Sequence, residues 1–295
     1  MAAQRCDWCG APIGADAKRR SRLRICPACG SATTDPAPTD EELERAYSGW
    51  YRPASGRFAR PGDRLLARSR GALAGRIDRI APSGPVLDVG AGDGTLLRAL
   101  RGCGREAVGL EREAIGEAVR AEDVRDVDGR WAAIVFWHSL EHLRDAGGAL
   151  AHAAGLLDDR GLIVVAMPNA ASLQARAFGE RWLALDLPRH LVHVPAPAVI
   201  SRLEQLGLRI ERVSFARGGQ VVFGWLHGLV GLLPGRPDLY DALRRPEARR
   251  RPLSATGRMA TLLAGVVLAP VAAAASAVEI AARRGGSVYV EARRP

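Results

Sequence analysis

From Pro85 onward the chain alternates short apolar runs with stretches of helical periodicity. Val86–Val89, 107–110, 132–137 and 161–166 are almost wholly apolar. Between them, 95–100, 114–121 and 145–157 place apolar residues at helical spacing. Apolar strands separated by helices predict an α/β fold, a parallel sheet covered on both faces. A helix over 197–207 ended by Gly207, a strand over 208–215 and an alternating strand over 287–293 extend the pattern. Upstream, Thr39-Asp40-Glu41-Glu42 predicts a helix start, with the helix running to Tyr47. Residues 49–62 are expected to be irregular. A helix over 63–80 is expected to bury Leu65, Leu66, Leu73 and Ile77 on or near one face. Residues 1–40 are rich in cysteine and turn formers, and 33–38 has the composition of a linker.

The 295 residues are 47% hydrophobic and 25% charged, which excludes a disordered or fibrous chain. Aromatics are only 5%, so the core must be aliphatic. Residues 1–25 lack the apolar region of a signal peptide, and a cytoplasmic location is expected. Net charge is +10, a balance that suits nucleic acid or an anionic surface. Lys18 is the only lysine, however, and the Ala, Gly and Arg bias looks like that of a GC-rich genome. Nucleic acid is therefore not expected as a partner.

The main chemical signal is Asp88-Val89-Gly90-Ala91-Gly92-Asp93-Gly94, between the first strand and a helix. Glycines there let the backbone turn sharply and approach a ligand. The spacing is not that of a dinucleotide fingerprint: the third glycine comes one residue early. Asp88 would repel a pyrophosphate and suits a cationic ligand bearing hydroxyls. Glu111 ends the next strand, where acids take ribose hydroxyls. After the fourth strand come His138, Glu141 and His142, with His190 and His193 further on. Histidines near a ligand edge are candidate bases. Glu141 and His142 could equally cap the next helix, and His190 and His193 could be structural.

These stretches, with Pro168-Asn169-Ala170 and Asp186-Leu187-Pro188-Arg189-His190-Leu191, resemble class I S-adenosylmethionine (SAM)-dependent methyltransferases. The subgroup is that of natural-product, sugar and quinone methylation. The resemblance implies a Rossmann-like seven-stranded sheet of order 3-2-1-4-5-7-6. It implies that Asp88, Gly90, Gly92 and Gly94 line the methionine side of SAM, that Glu111 takes the ribose, and that Asp123 and Val124 lie near adenine. His138, Glu141, His142 and His190 become the catalytic candidates. Ubiquinone-type relatives hold a cation at Glu-x-x-Glu-His; here His138 replaces the first Glu, which argues against a Mg²⁺ site. The expected reaction is methyl transfer to oxygen or carbon of a small or lipid-linked acceptor. An RNA methyltransferase and an inactive SAM-binding scaffold are the alternatives.

Cys6, Cys9, Cys26 and Cys29 follow C-x2-C-x16-C-x2-C, which predicts a structural Zn²⁺ ribbon. Cys103 is expected to be a small buried hydrophobe. Expected units are the ribbon at 1–38, a helical lead-in at 39–84, the core at 85–216, an apolar helical insertion at 217–284 and a final strand in 285–295. Within the insertion, 259–278 lacks charge and is long enough to span a membrane. Arginines at 244–258 and 283–284 favour a surface-lying helical pair on an anionic membrane, peripheral at its inner face. A soluble lid, a homodimer contact and a spanning hairpin are the alternatives.

Overall fold

The computed structural model describes residues 4–14, 17–47, 58, 60–112, 119–216 and 219–295. Its centre is a seven-stranded sheet: β1 (Val86–Val89), β2 (Ala107–Glu111), β3 (Val119–Ala121), β4 (Trp131–Trp137), β5 (Leu157–Pro168), β6 (Arg209–Ser214) and β7 (Ser287–Arg293). The strand order is 3-2-1-4-5-7-6, as expected. Strands β1 to β5 pair in parallel, and β7 runs antiparallel between β5 and β6. Helices are α1 (Asp40–Tyr47), α2 (Arg60–Ile80), α3 (Thr95–Gly102), α4 (Ala146–Gly155), α5 (Leu173–Phe178), α6 (Ala196–Gln205), α7 (Gln220–Gly231), α8 (Leu239–Leu243) and α9 (Ala255–Ala281).

The apolar strands bury both faces by strict alternation. Leu87, Val89, Ile134, Phe136, Ile163 and Val165 enter the core on one side. Val86, Ala133, Val135, Leu162 and Val164 enter the core on the other. The box at Thr39 forms as expected: its Oγ1 accepts from Glu42 N–H at 3.2 Å, and Glu42 Oε2 accepts from Thr39 N–H at 2.9 Å.

Four expectations need correction. Val119–Ala121 is a strand bonded to β2, so the helix expected over 114–121 does not reach it; 114–118 lie outside the described residues. Helix α2 starts at Arg60 and buries Leu73, Ala74 and Ile77, while Leu65 and Leu66 are exposed. Leu65 lies two full turns from Leu73, beyond the part of the helix that packs in the core. Cys103 is exposed just past α3, although Leu100 in the last turn of that helix is fully buried. The supposed linker begins as a strand, Ala32–Thr34. Most of 49–62 also lies outside the described residues.

That strand explains how the cysteine module sits. It pairs with Leu23–Ile25 on one side and with Val192–His193, from the loop after β5, on the other. The module and the core thus share one small sheet. Trp8 is 1% exposed and its Nε1 donates to the Ala198 carbonyl at 3.1 Å. The Asp7 carbonyl accepts from Gly147 N–H, and a Cβ on Gly147 would stand 2.0 Å from the Trp8 carbonyl oxygen. Only glycine permits that approach of α4.

Candidate active site at the carboxyl edge of the sheet

The glycine loop leaves β1 with Gly90, Gly92 and Gly94 all at positive φ. A Cβ on Gly90 would lie 2.4 Å from Ser139 Cβ, so this residue lets the loop close onto the end of β4. Gly90 and Ala91 N–H donate to the Leu110 carbonyl, and Glu111 Oε2 accepts from Gly92 N–H at 2.8 Å. The acid predicted to take a ribose therefore also holds the loop. Asp88 is buried at the end of β1. Burial, together with the charges of Glu111 and Asp93, pushes its carboxyl up to about 7 despite the opposing charge of Arg70.

An open cavity of about 400 Å³ lies beside this loop. Gly90, Glu111, Asp123, Val124, His138 and His142 all line it. Asp88, Gly92 and Gly94 sit on the same loop without lining that cavity. Asp123 also accepts from Arg125 N–H at 2.9 Å, fixing the turn at 124–126. Volume and lining suit a small ligand. The buried Ser139 Oγ and Trp137 Nε1 have no protein partner among the described residues.

His138 follows β4 at φ 54°, a left-handed conformation that a histidine adopts at a cost. Its N–H is tied to the Ala166 carbonyl at 2.7 Å. Its Nδ1 lies 3.3 Å from Glu141 Oε1. A carboxylate only accepts, so Nδ1 carries the proton and Nε2 is the basic nitrogen. Glu141 is 1% exposed. Burial would raise its pKa, yet the His138 hydrogen bond and the charges of His138, His142 and His190 hold it down at about 2. Its Oε2 has no hydrogen-bond partner among the described residues. Helix α4 is capped by Asp145, which accepts from Gly148 N–H, so neither Glu141 nor His142 serves as that cap.

His142 Nδ1 lies 3.0 Å from the Arg189 carbonyl, and His190 Nδ1 lies 2.8 Å from the Ala184 carbonyl. Carbonyls cannot donate, so both rings carry the proton on Nδ1. Burial, then the His190 charge, lowers His142 to about 4 and His193 to about 3, so both are neutral near pH 7. One ligand atom each from Glu141, His142 and His190 lie within 4.8 Å of one another. This set, which includes His190 in place of the expected first Glu, could accept a borderline cation. Sequence reasoning missed Tyr47, whose hydroxyl lies 2.8 Å from His142 Nδ1 and whose ring, under the Arg112 guanidinium, lines the cavity. Nothing in the sequence of α1 marked it.

The four module cysteines form a second cluster. Cys6 and Cys29 sulfurs are 3.8 Å apart, as are those of Cys9 and Cys26. These separations are too long for disulfides. A tetrahedron with Zn–S bonds of about 2.3 Å has edges of about 3.8 Å, so the donor set fits zinc.

Sheet order, glycine loop and an acid on the second strand define a Rossmann-like methyltransferase. A family described as "Methyltransferase domain" matches residues 58–213, over half the chain, and the chain belongs to that family. It is thus a SAM-dependent methyl-transfer enzyme. No curated protein sequence matches it. Among solved structures, a SAM-dependent methyltransferase from Archaeoglobus fulgidus is 18% identical, with a TM-score of 0.45, over 76% of this chain and 94% of that one. Magnesium protoporphyrin IX methyltransferase from Synechocystis with bound S-adenosylhomocysteine is 13% identical, with a TM-score of 0.45, over 78% and 84%. A possible histamine N-methyltransferase from Thermotoga maritima is 11% identical, with a TM-score of 0.44, over 79% and 90%.

Proposed function

We propose that the enzyme transfers a methyl group to an oxygen or an acidic carbon of a small acceptor, with His138 as base. The observation behind this reading is the His138–Glu141 pair beside the glycine loop. SAM supplies a methyl already activated on sulfonium. The protein must place the acceptor in line with it and remove a proton. The loop from Asp88 to Gly94 and Glu111 would hold SAM, with Asp123 and Val124 near its base. His138 Nε2 would take the acceptor's proton. Buried Glu141 fixes the tautomer and stabilises the imidazolium that forms, as the third member of a hydrolase triad does. His142, a neutral ring, and His190 stand behind Glu141 and shape the pocket. Cys6, Cys9, Cys26 and Cys29 would hold a structural zinc, with no open position for chemistry.

Parallel calorimetric titrations with SAM and NAD test the cofactor assignment. SAM binds and NAD does not, and Glu111→Ala weakens SAM at least tenfold; NAD binding in place of SAM would overturn the reading. Transfer of labelled methyl from SAM to phenols, sugars and amines then tests the acceptor class. Preference for amines would count against a base at His138.

Asp88 gives the titration a pH signature. A cationic ligand favours the ionised carboxylate, which in the free protein is half-protonated near pH 7. Below that pH a proton must leave on binding. SAM affinity should therefore fall on acidification, to about one tenth at pH 6 of its value at pH 8. Asp88→Asn should remove this part of the slope; an identical slope in the variant would sink the assignment.

A further inference from the structure

Helix α9 has its polarity inverted. The residues it turns inward are Thr261, Gly265, Ala272, Ser276 and Glu279, all small or polar. The residues it turns outward are apolar: Met259, Leu263, Val266, Val267, Val271 and Val278 are between 53% and 75% exposed. A helix on a water-bathed surface shows the opposite pattern. Inward, Glu279 is fully buried and satisfied: it accepts from Gln174 N–H at 2.8 Å, from the Gln174 amide at 2.9 Å and from Trp225 Nε1 at 2.9 Å. The orientation is therefore held by buried polar bonds.

No charged residue lies between Arg258 and Glu279, so the outward face is uncharged over 259–278. That is about 30 Å of helix at 1.5 Å per residue. At about 100° per residue these six outward side chains cover an arc of about 140°. A helix pairing with one partner helix needs only a narrow seam. An arc this broad fits a fluid apolar medium. Charge complements it: Arg251 and Arg258 are exposed at one end of the helix and Arg283 at the other.

Both ends of α9 are bound to the same body. At its start, Arg258 Nε donates to the Ala242 carbonyl at 3.0 Å, and further along a Cβ on Gly265 would stand 3.2 Å from Leu239 Cδ1, so the helix packs closely on α8 there. The segment just before it is tied to the core through Arg245 to Asp63 of α2 and Arg250 to Asp186 of the histidine loop. At its end, Glu279 holds Gln174 of α5. A helix tethered at both ends to one side cannot cross a bilayer.

We propose that α9 lies in the plane of an anionic lipid bilayer, with its Met259–Val278 face among the acyl chains and Arg251, Arg258 and Arg283 on lipid phosphates. Apolar burial and basic flanks act together in such binding, and long arginine side chains reach the headgroups from a buried helix.

The test is flotation of the full-length protein with vesicles of phosphatidylcholine alone and with 30 mol% phosphatidylglycerol (roughly physiological anionic content). The expected result is binding to the anionic vesicles at least tenfold stronger than to the neutral ones. Val266→Asp with Val267→Asp should lose at least tenfold in binding while keeping the wild-type thermal midpoint; Val271→Asp serves if that double variant does not fold. Failure of the wild type to float with either vesicle would overturn the proposal. So would light scattering that shows a stable dimer, converted to monomer by Val266→Asp, with no vesicle binding.

Discussion

Glu141→Gln is expected to lower kcat by about 10²–10⁴-fold while leaving SAM affinity unchanged. Glutamine keeps the shape and one acceptor oxygen, so His138 Nδ1–H retains a partner. What disappears is the negative charge that stabilises the imidazolium as the acceptor's proton arrives. The charge is worth most where water is excluded, and Glu141 is 1% exposed. Its ionisation is secure at working pH because the surrounding histidines hold its pKa at about 2. The comparison to make is single-turnover methyl transfer in wild type, Glu141→Gln and His138→Ala. The two variants should lose similar amounts, and the double variant little more, because the pair acts as a unit. Additive losses, or a Glu141→Gln enzyme within threefold of wild type, would remove the pair from the mechanism.

Removing zinc, or replacing Cys26 by Ser, is expected to unfold the module and to lower activity more than tenfold. The wild type should hold about one zinc per chain by elemental analysis. The thermal midpoint should drop by about 10 °C, since structural zinc supplies much of the folding energy of such modules. The effect reaches the site through shared structure. Ala32 and Thr33 pair with His193 and Val192. The Thr34 hydroxyl donates to the His190 carbonyl at 2.7 Å, so the nearby His193 Nε2 must donate to it. Trp8, Cys6 and Cys26 lie in the same core as Val192, Val194 and Ala196. Loss of the module therefore frees the loop that carries His190. A chelated protein with full activity would show the module to be independent of the site.

Strands β1, β4 and β5 were legible because they are buried on both faces, which leaves short, mainly apolar runs between helical stretches. The exception, 119–121, is a short strand with one buried residue, too brief to show a period. The glycine loop was legible because positive-φ turns and close backbone approach demand glycine at a fixed spacing, and Glu111 because an acid ends an otherwise apolar strand. The histidine cluster was legible only in part. His138, Glu141 and His142 are near in sequence, whereas His190 joins them through a loop held by the cysteine module. Tyr47 carried no signal at all, because its role is set by a contact across 95 residues.

By itself, then, the sequence determined the class of fold, the glycine loop and a set of four cysteines spaced to hold a metal. Each rests on local rules: alternation of burial, positive-φ glycines, and metal donors at knuckle spacing. The tertiary structure alone decided which nitrogen of each histidine is basic, since that depends on distant carbonyls and carboxylates. It alone showed that the cysteine module shares a sheet with the histidine loop. It also decided the meaning of 259–278. Composition marks that stretch as apolar whichever way it turns; only packing shows that Glu279 faces in and the valines face out.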